Sequence, residues 1–86
     1  MDDSLFRALA DPTRRKILEL LTEKDRTAGE IAERFSCKWP TTTRHLRTLQ
    51  NAGLISVRKE GRERLYELNR NRLVDTVTGW LKWFNS

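Results

Sequence analysis

Two groups of side chains in the middle of this sequence have the types and spacing to engage a polyanion. The first is Lys38, Trp39, Pro40, Thr41, Thr43, Arg44, Arg47 and Thr48. The second is Arg58, Lys59, Arg62 and Arg64, gathered about Gly61. A guanidinium donates paired hydrogen bonds to phosphate or to a guanine edge, and threonine hydroxyls bond bases or phosphates. No acidic residue lies between Phe35 and Lys59, so nothing in the first group repels phosphate. The net charge of +5 is segregated along the chain. Met1 to Phe35 carries 7 Lys/Arg against 8 Asp/Glu, Ser36 to Tyr66 carries 7 against 2, and Glu67 to Ser86 carries 3 against 2. A basic block beside a nearly neutral scaffold is the footprint of a nucleic-acid-binding face, with duplex DNA as the expected partner.

The residues needed for other chemistry are missing. There is no Ser-His-Asp order, no glycine-rich phosphate loop and no carboxylate cluster outside helix caps, so an enzyme is not expected. His45 is the only histidine, which rules out a histidine-based metal site within one chain, and no cofactor is expected. Beside the inward face of its helix, His45 reads as a packing or hydrogen-bonding residue rather than a DNA contact or pH switch. Cys37 is the only cysteine; unable to form an internal disulfide, it suits a reducing cytoplasm. It reads as a small half-buried filler rather than a redox switch, despite basic neighbours. No apolar run approaches the roughly 20 residues needed to span a bilayer. Met1-Asp2-Asp3-Ser4 lacks the basic and apolar regions of a signal peptide, so no membrane partner is expected.

These groups need a scaffold, and 86 residues allow one domain, 1–86, with a thin core. Leu5, Phe6 and Leu9 predict a first helix over Ser4 to Ala10. Asp11 and Pro12 are an N-cap and first-position proline for a second helix, whose apolar stripe is Ile17, Leu18 and Leu21. The polar run Thr22 to Arg26 reads as a loop. Thr27 and Glu30 form a capping box that opens a third helix, with Ala28, Ile31, Ala32 and Phe35 on one face. Ser36-Cys37-Lys38 is a short turn. A fourth helix then runs from Trp39 to Ala52, with Thr42, Leu46 and Leu49 inward and Gly53 as its stop. The pattern then turns to period two. Leu54 to Lys59 and Arg64 to Leu68 read as paired strands, joined by a turn at Glu60-Gly61-Arg62-Glu63. Leu73, Val74, Val77, Trp80, Leu81 and Phe84 recur at helical spacing and predict a last helix from near Asn71. Trp83 lies off that stripe. The aromatic residues there read as core or interface rather than a ligand pocket.

The fold class is therefore mainly α with a β-hairpin. Two helices joined by a three-residue turn match a helix-turn-helix, whose second helix enters the major groove. The basic hairpin that follows fits a wing that meets DNA backbone or minor groove.

At this level the chain resembles a known family. Leu5 to Arg14, Arg44 to Ile55, Glu60-Gly61-Arg62 and Leu65-Tyr66-Glu67-Leu68 are similar to the motifs of ArsR-type winged helix-turn-helix transcriptional regulators. The C-terminal helix ending Trp80-Leu81-Lys82-Trp83-Phe84 most resembles the SdpR-type autorepressor branch. The resemblance implies a homodimeric repressor, with each protomer reading one half of an inverted repeat. It places Trp39, Pro40, Thr43 and Arg44 on DNA. It pairs the first and last helices across the dimer axis, which assigns Leu5, Phe6, Leu9, Val77, Trp80, Leu81 and Phe84 to the interface. The chain departs from the metal-sensing members. Thr27-Ala28-Gly29 stands where they carry two cysteines flanking one residue, and no histidine follows Asp75. Metal response is not expected, and no small-molecule or protein effector is indicated. The rival class is a winged-helix protein-interaction module without an operator. The absence of acids from the recognition helix argues against it.

Overall fold

A computed structural model describes residues 3–85; Met1, Asp2 and Ser86, with that part of the acidic N-terminal stretch, lie outside the described residues. The elements run α1 (Asp3–Leu9), α2 (Pro12–Leu21), β1 (Arg26–Thr27), α3 (Ala28–Phe35), α4 (Trp39–Asn51), β2 (Ile55–Glu60), β3 (Glu63–Leu68), α5 (Arg70–Leu81) and a closing 3-10 turn, η1 (Lys82–Phe84). Helix boundaries follow the local signals closely. The Asp11 carboxylate accepts the Arg14 backbone N–H at 3.1 Å, with Pro12 opening α2. In the capping box of α3, the Thr27 hydroxyl accepts the Glu30 N–H at 3.1 Å and the Glu30 carboxylate accepts the Thr27 N–H at 2.9 Å. The Thr27 backbone N–H first, then the Thr27 hydroxyl and the Lys24 and Arg26 charges, hold the Glu30 carboxyl below its usual value against a small desolvation. Ser36 ends α3 in the left-handed conformation, φ 54°. Gly53 does the same after α4, φ 76°, and lets the Leu54 N–H reach the Leu49 carbonyl at 3.0 Å.

The core lies where α1, α2, α3 and α4 meet the base of the hairpin. Leu5, Ile17, Ile31, Leu46, Leu49, Leu54 and Ile55 are essentially removed from solvent there. Thr42 is buried with them, as its inward position in α4 requires.

Three details differ from the sequence reading. Residues Arg26 and Thr27, at the end of the expected loop, form a third strand. The sheet order is β1-β3-β2, antiparallel, with Arg26 opposite Tyr66 and Thr27 opposite Leu65. Two residues carry no periodicity of their own; they are a strand only because the free edge of β3 is beside them. The hairpin turn is tighter than four residues: Glu60 pairs with Glu63, leaving Gly61 and Arg62 as the loop, with Gly61 at φ 63°. The last helix starts at Arg70 because Asn69 fixes its start. The Asn69 amide donates to the Gly53 carbonyl and accepts from the Ser56 hydroxyl, both at 2.9 Å. Its backbone N–H reaches the Leu54 carbonyl at 2.9 Å. The start of α5 is thus tied to the base of the wing.

Candidate nucleic-acid interface

Helix α4 is divided by its packing. Thr42, Leu46 and Leu49 are buried, which turns the opposite face outward. On that face Lys38, Trp39, Pro40, Thr41, Thr43, Arg44 and Arg47 are exposed. Thr48 differs from the others. It is half-buried, and its hydroxyl donates to the Arg44 carbonyl one turn back at 3.0 Å, which leaves it only acceptor capacity.

The wing carries Lys59, Arg62 and Arg64 exposed around the Gly61 tip. Arg58 is also exposed, but its guanidinium is committed. It contacts Asp25 at 2.6 Å and Glu60 and Glu67 at 3.4 Å each. The hydrogen bond to Asp25, reinforced by the three carboxylate charges against partial desolvation, raises its pKa further above an already high value. Arg58 thus ties the wing to the segment before β1, and three nearby carboxylates offset its charge. Among the described residues, no carboxylate pairs with Lys38, Arg44, Arg47, Lys59, Arg62 or Arg64. Those six cations keep their full charge for a polyanion.

The two groups meet in space. Trp39 and Thr43 of α4, residues Thr27 to Gly29, and Arg62, Glu63, Arg64 and Tyr66 of the wing together line one open groove of about 470 Å³. The strand pairing of β1 with β3 brings the start of α3, and Trp39 beside it, next to the wing.

Arg14, the last residue of the first family-like motif and assigned no role by it, supports α4 from behind. Arg14 donates from Nε to the Ala8 carbonyl at 2.8 Å and from Nη2 to the Arg7 carbonyl at 3.1 Å. Its Nη1 lies 3.5 Å from Nδ1 of half-buried His45. Arg14 therefore spans the carboxyl end of α1 and the middle of α4, consistent with the packing role expected of His45. Partial burial raises the pKa of neighbouring Asp11. The Arg14 N–H bond, the His45 and Arg14 charges and the Thr13 N–H together outweigh it and leave that carboxyl lowered. Cys37 is half-buried, its thiol 3.6 Å from the Phe35 carbonyl.

The expected dimer residues divide into two sets. Leu5, expected at the dimer interface, has no exposed surface in the protomer and instead supports α1 from beneath. Leu9 and Val77 are half-buried against the protomer's own core, as is Phe6, which meets Trp80 edge-on at 5.3 Å. Trp80 in turn meets Phe84 at 5.1 Å. Leu81 and Phe84 are exposed, together with Val74 and Trp83, the last 80% exposed. Helix α5 buries no residue fully.

A helix-turn-helix formed by α3 and α4, followed by a two-stranded wing and flanked by α1 and α5, defines a winged helix-turn-helix domain. A family model described as a helix-turn-helix domain matches residues 9–58. The transcriptional repressor SdpR of Bacillus subtilis (strain 168) is 42% identical over 83 residues, covering 96% of this chain and 92% of that protein. The arsenical resistance operon repressor of Staphylococcus xylosus is 33% identical over 70 residues, covering 81% of this chain and 67% of the relative. The crystal structure of an ArsR family transcriptional regulator superposes with a TM-score of 0.87 at 32% identity, covering 96% of this chain and 84% of the other. A homodimeric winged helix-turn-helix DNA-binding domain from Mycobacterium bovis gives 0.76 at 25% identity, covering 98% and 82%. The chain belongs to the ArsR family of winged helix-turn-helix transcriptional regulators. It is a transcriptional repressor with a DNA-binding helix-turn-helix, and not an enzyme. Among the described residues no helix is long and apolar enough to cross a membrane.

Proposed function

We propose that the chain acts in the cytoplasm as a homodimer, occupying an inverted-repeat operator and repressing its own promoter without responding to metal. The observation that carries this reading is the outward face of α4 together with the wing. Among the described residues six cations there have no carboxylate partner, on elements that a winged helix-turn-helix applies to DNA. Exposed Trp39, Pro40, Thr41, Thr43, Arg44 and Arg47 lie in the major groove, where Arg44 reads a base edge. Lys38 and Lys59 meet phosphate, Arg62 and Arg64 meet phosphate or minor groove, and Thr48 and Arg58 serve mainly by positioning. Dimerisation is supported by the apolar surface of Leu81, Phe84 and Trp80, and by the homodimer of the Mycobacterium bovis relative. Autoregulation rests on the resemblance of the C-terminal helix ending Trp80 to Phe84 to the SdpR-type autorepressor branch. The lack of metal response rests on Thr27, Ala28 and Gly29 at the start of α3, none of them a thiol or imidazole.

Selection of bound sequences from a random duplex library tests the reading. The expected product is an inverted repeat, bound by two protomers in sedimentation, with affinity unchanged by zinc, nickel or arsenite. A direct repeat, one protomer per site or loss of binding with sub-stoichiometric metal would overturn the corresponding part.

A further inference from the structure

Trp39 is the first residue of α4 and is 59% exposed, an unusual state for the largest apolar side chain. The indole carbons Cζ2 and Cη2 lie 3.6 and 3.7 Å from the place a Cβ would occupy on Gly29, so the benzo edge rests over the first turn of α3. The capping box of Thr27 and Glu30 fixes that turn. Trp39 also lines the open groove that Arg62, Glu63 and Arg64 line from the wing.

We propose that Trp39 is a specificity-determining residue that reads thymine through its C5-methyl group. The inference rests on the operator-binding reading above and names the base. An indole offers one N–H donor and no acceptor, so it cannot make the paired bonds that identify guanine or adenine. Its large apolar face complements only one feature of a major-groove base edge, the thymine methyl. Phosphate is better served by Arg62 and Arg64, which line the same groove. A side chain in the first turn of the recognition helix points at base edges, and the support from α3 holds the ring in place without an ordering cost at binding.

The test uses the full chain and the operator recovered by selection. Each thymine of a half-site is replaced in turn by deoxyuridine, which removes the methyl and nothing else. The unmodified protein and Trp39→Ala, checked for fold by circular dichroism, are titrated against each duplex. One position per half-site is expected to weaken the unmodified protein about fourfold, the affinity equivalent of one buried methyl. Trp39→Ala is expected to bind the thymine and deoxyuridine duplexes equally. Three results overturn the proposal: no deoxyuridine position matters, both proteins lose equally at the sensitive position, or Trp39→Ala weakens operator and scrambled duplex alike, as a contact to sugar or phosphate would. Arg44→Ala in the same titration separates the two levels of argument. If the unmodified protein prefers operator over scrambled duplex and Arg44→Ala reduces that preference, the operator reading stands even where the thymine reading falls.

Discussion

Helices α4 and α5 are close in length and opposite in construction. Helix α4 buries Thr42, Leu46 and Leu49 completely and shows solvent a face of hydroxyls and of cations that no described carboxylate pairs. Helix α5 buries no residue completely and exposes Val74, Trp80 and Leu81, with Trp83 and Phe84 just beyond it. A helix with its apolar side already satisfied and its outer side charged is complete within the protomer and awaits a polyanion. A helix with apolar groups on its outer side awaits a protein surface, because a clustered exposed apolar patch is rare on a monomer. On the proposed reading the chain holds one helix for DNA and one for a second copy, and the two should fail differently when altered.

The largest expected effect is on the buried side of α4. Leu46→Ala should destabilise the fold by about 2–5 kcal/mol, measured by urea unfolding, because it empties a fully packed position. The matching change on α5 should leave the protomer folded. Leu81→Asp should produce a folded monomer near 10.2 kDa in sedimentation, with association weakened by at least about 2 kcal/mol and operator binding weakened in step. If Leu81→Asp unfolds the protomer instead, the contrast between the two helices fails.

A smaller effect belongs to the start of α3. Thr27→Ala should cost about 1 kcal/mol by removing the cap. It should also flatten the acid side of the stability curve. The Glu30 and Asp11 carboxyls are lowered in the folded state. Their contribution is therefore present above their unfolded values, about 4, and is lost as pH falls through the lower folded values. Thermal melts between pH 7 and pH 3 should show the unmodified protein losing more stability than Thr27→Ala over the acid end. The smallest effect is expected at Arg58. Because Asp25, Glu60 and Glu67 offset its charge, Arg58→Ala should change DNA affinity less than Arg62→Ala does. An equal or larger loss would show that those ion pairs open on binding.

Features that residues announce locally were legible in the sequence. Asp11-Pro12, the Thr27–Glu30 box and Gly53 set helix boundaries within a residue or two. The alternation from Ile55 to Leu68 placed the hairpin. The features that were not legible depend on groups distant in sequence. Strand β1 exists because Tyr66 and Leu65 are beside it. Arg58 looked like any other wing cation until Asp25, 33 residues earlier, came within 2.6 Å. Arg14 gave no sign of reaching His45, 31 residues later. Leu5 and Phe6 are neighbours at apolar positions, and only the packing shows that one belongs wholly to the core while the other meets Trp80. For the interface residues, sequence supplied charge and polarity, and tertiary structure decided which charges remain free.

The central claim is that α4 reads DNA while the wing holds it, and one titration addresses it directly. Arg44→Ala and Arg62→Ala are measured against operator and scrambled duplex at several salt concentrations. Arg44→Ala should lose about 1–3 kcal/mol per bidentate base contact on the operator and much less on the scrambled duplex. Arg62→Ala should weaken both duplexes similarly and reduce the log–log salt slope by about 0.9 for each wing. Arg44→Ala weakening both duplexes alike while Arg62→Ala affects the operator alone would reverse the assignment, and indifference to both changes would contradict the account.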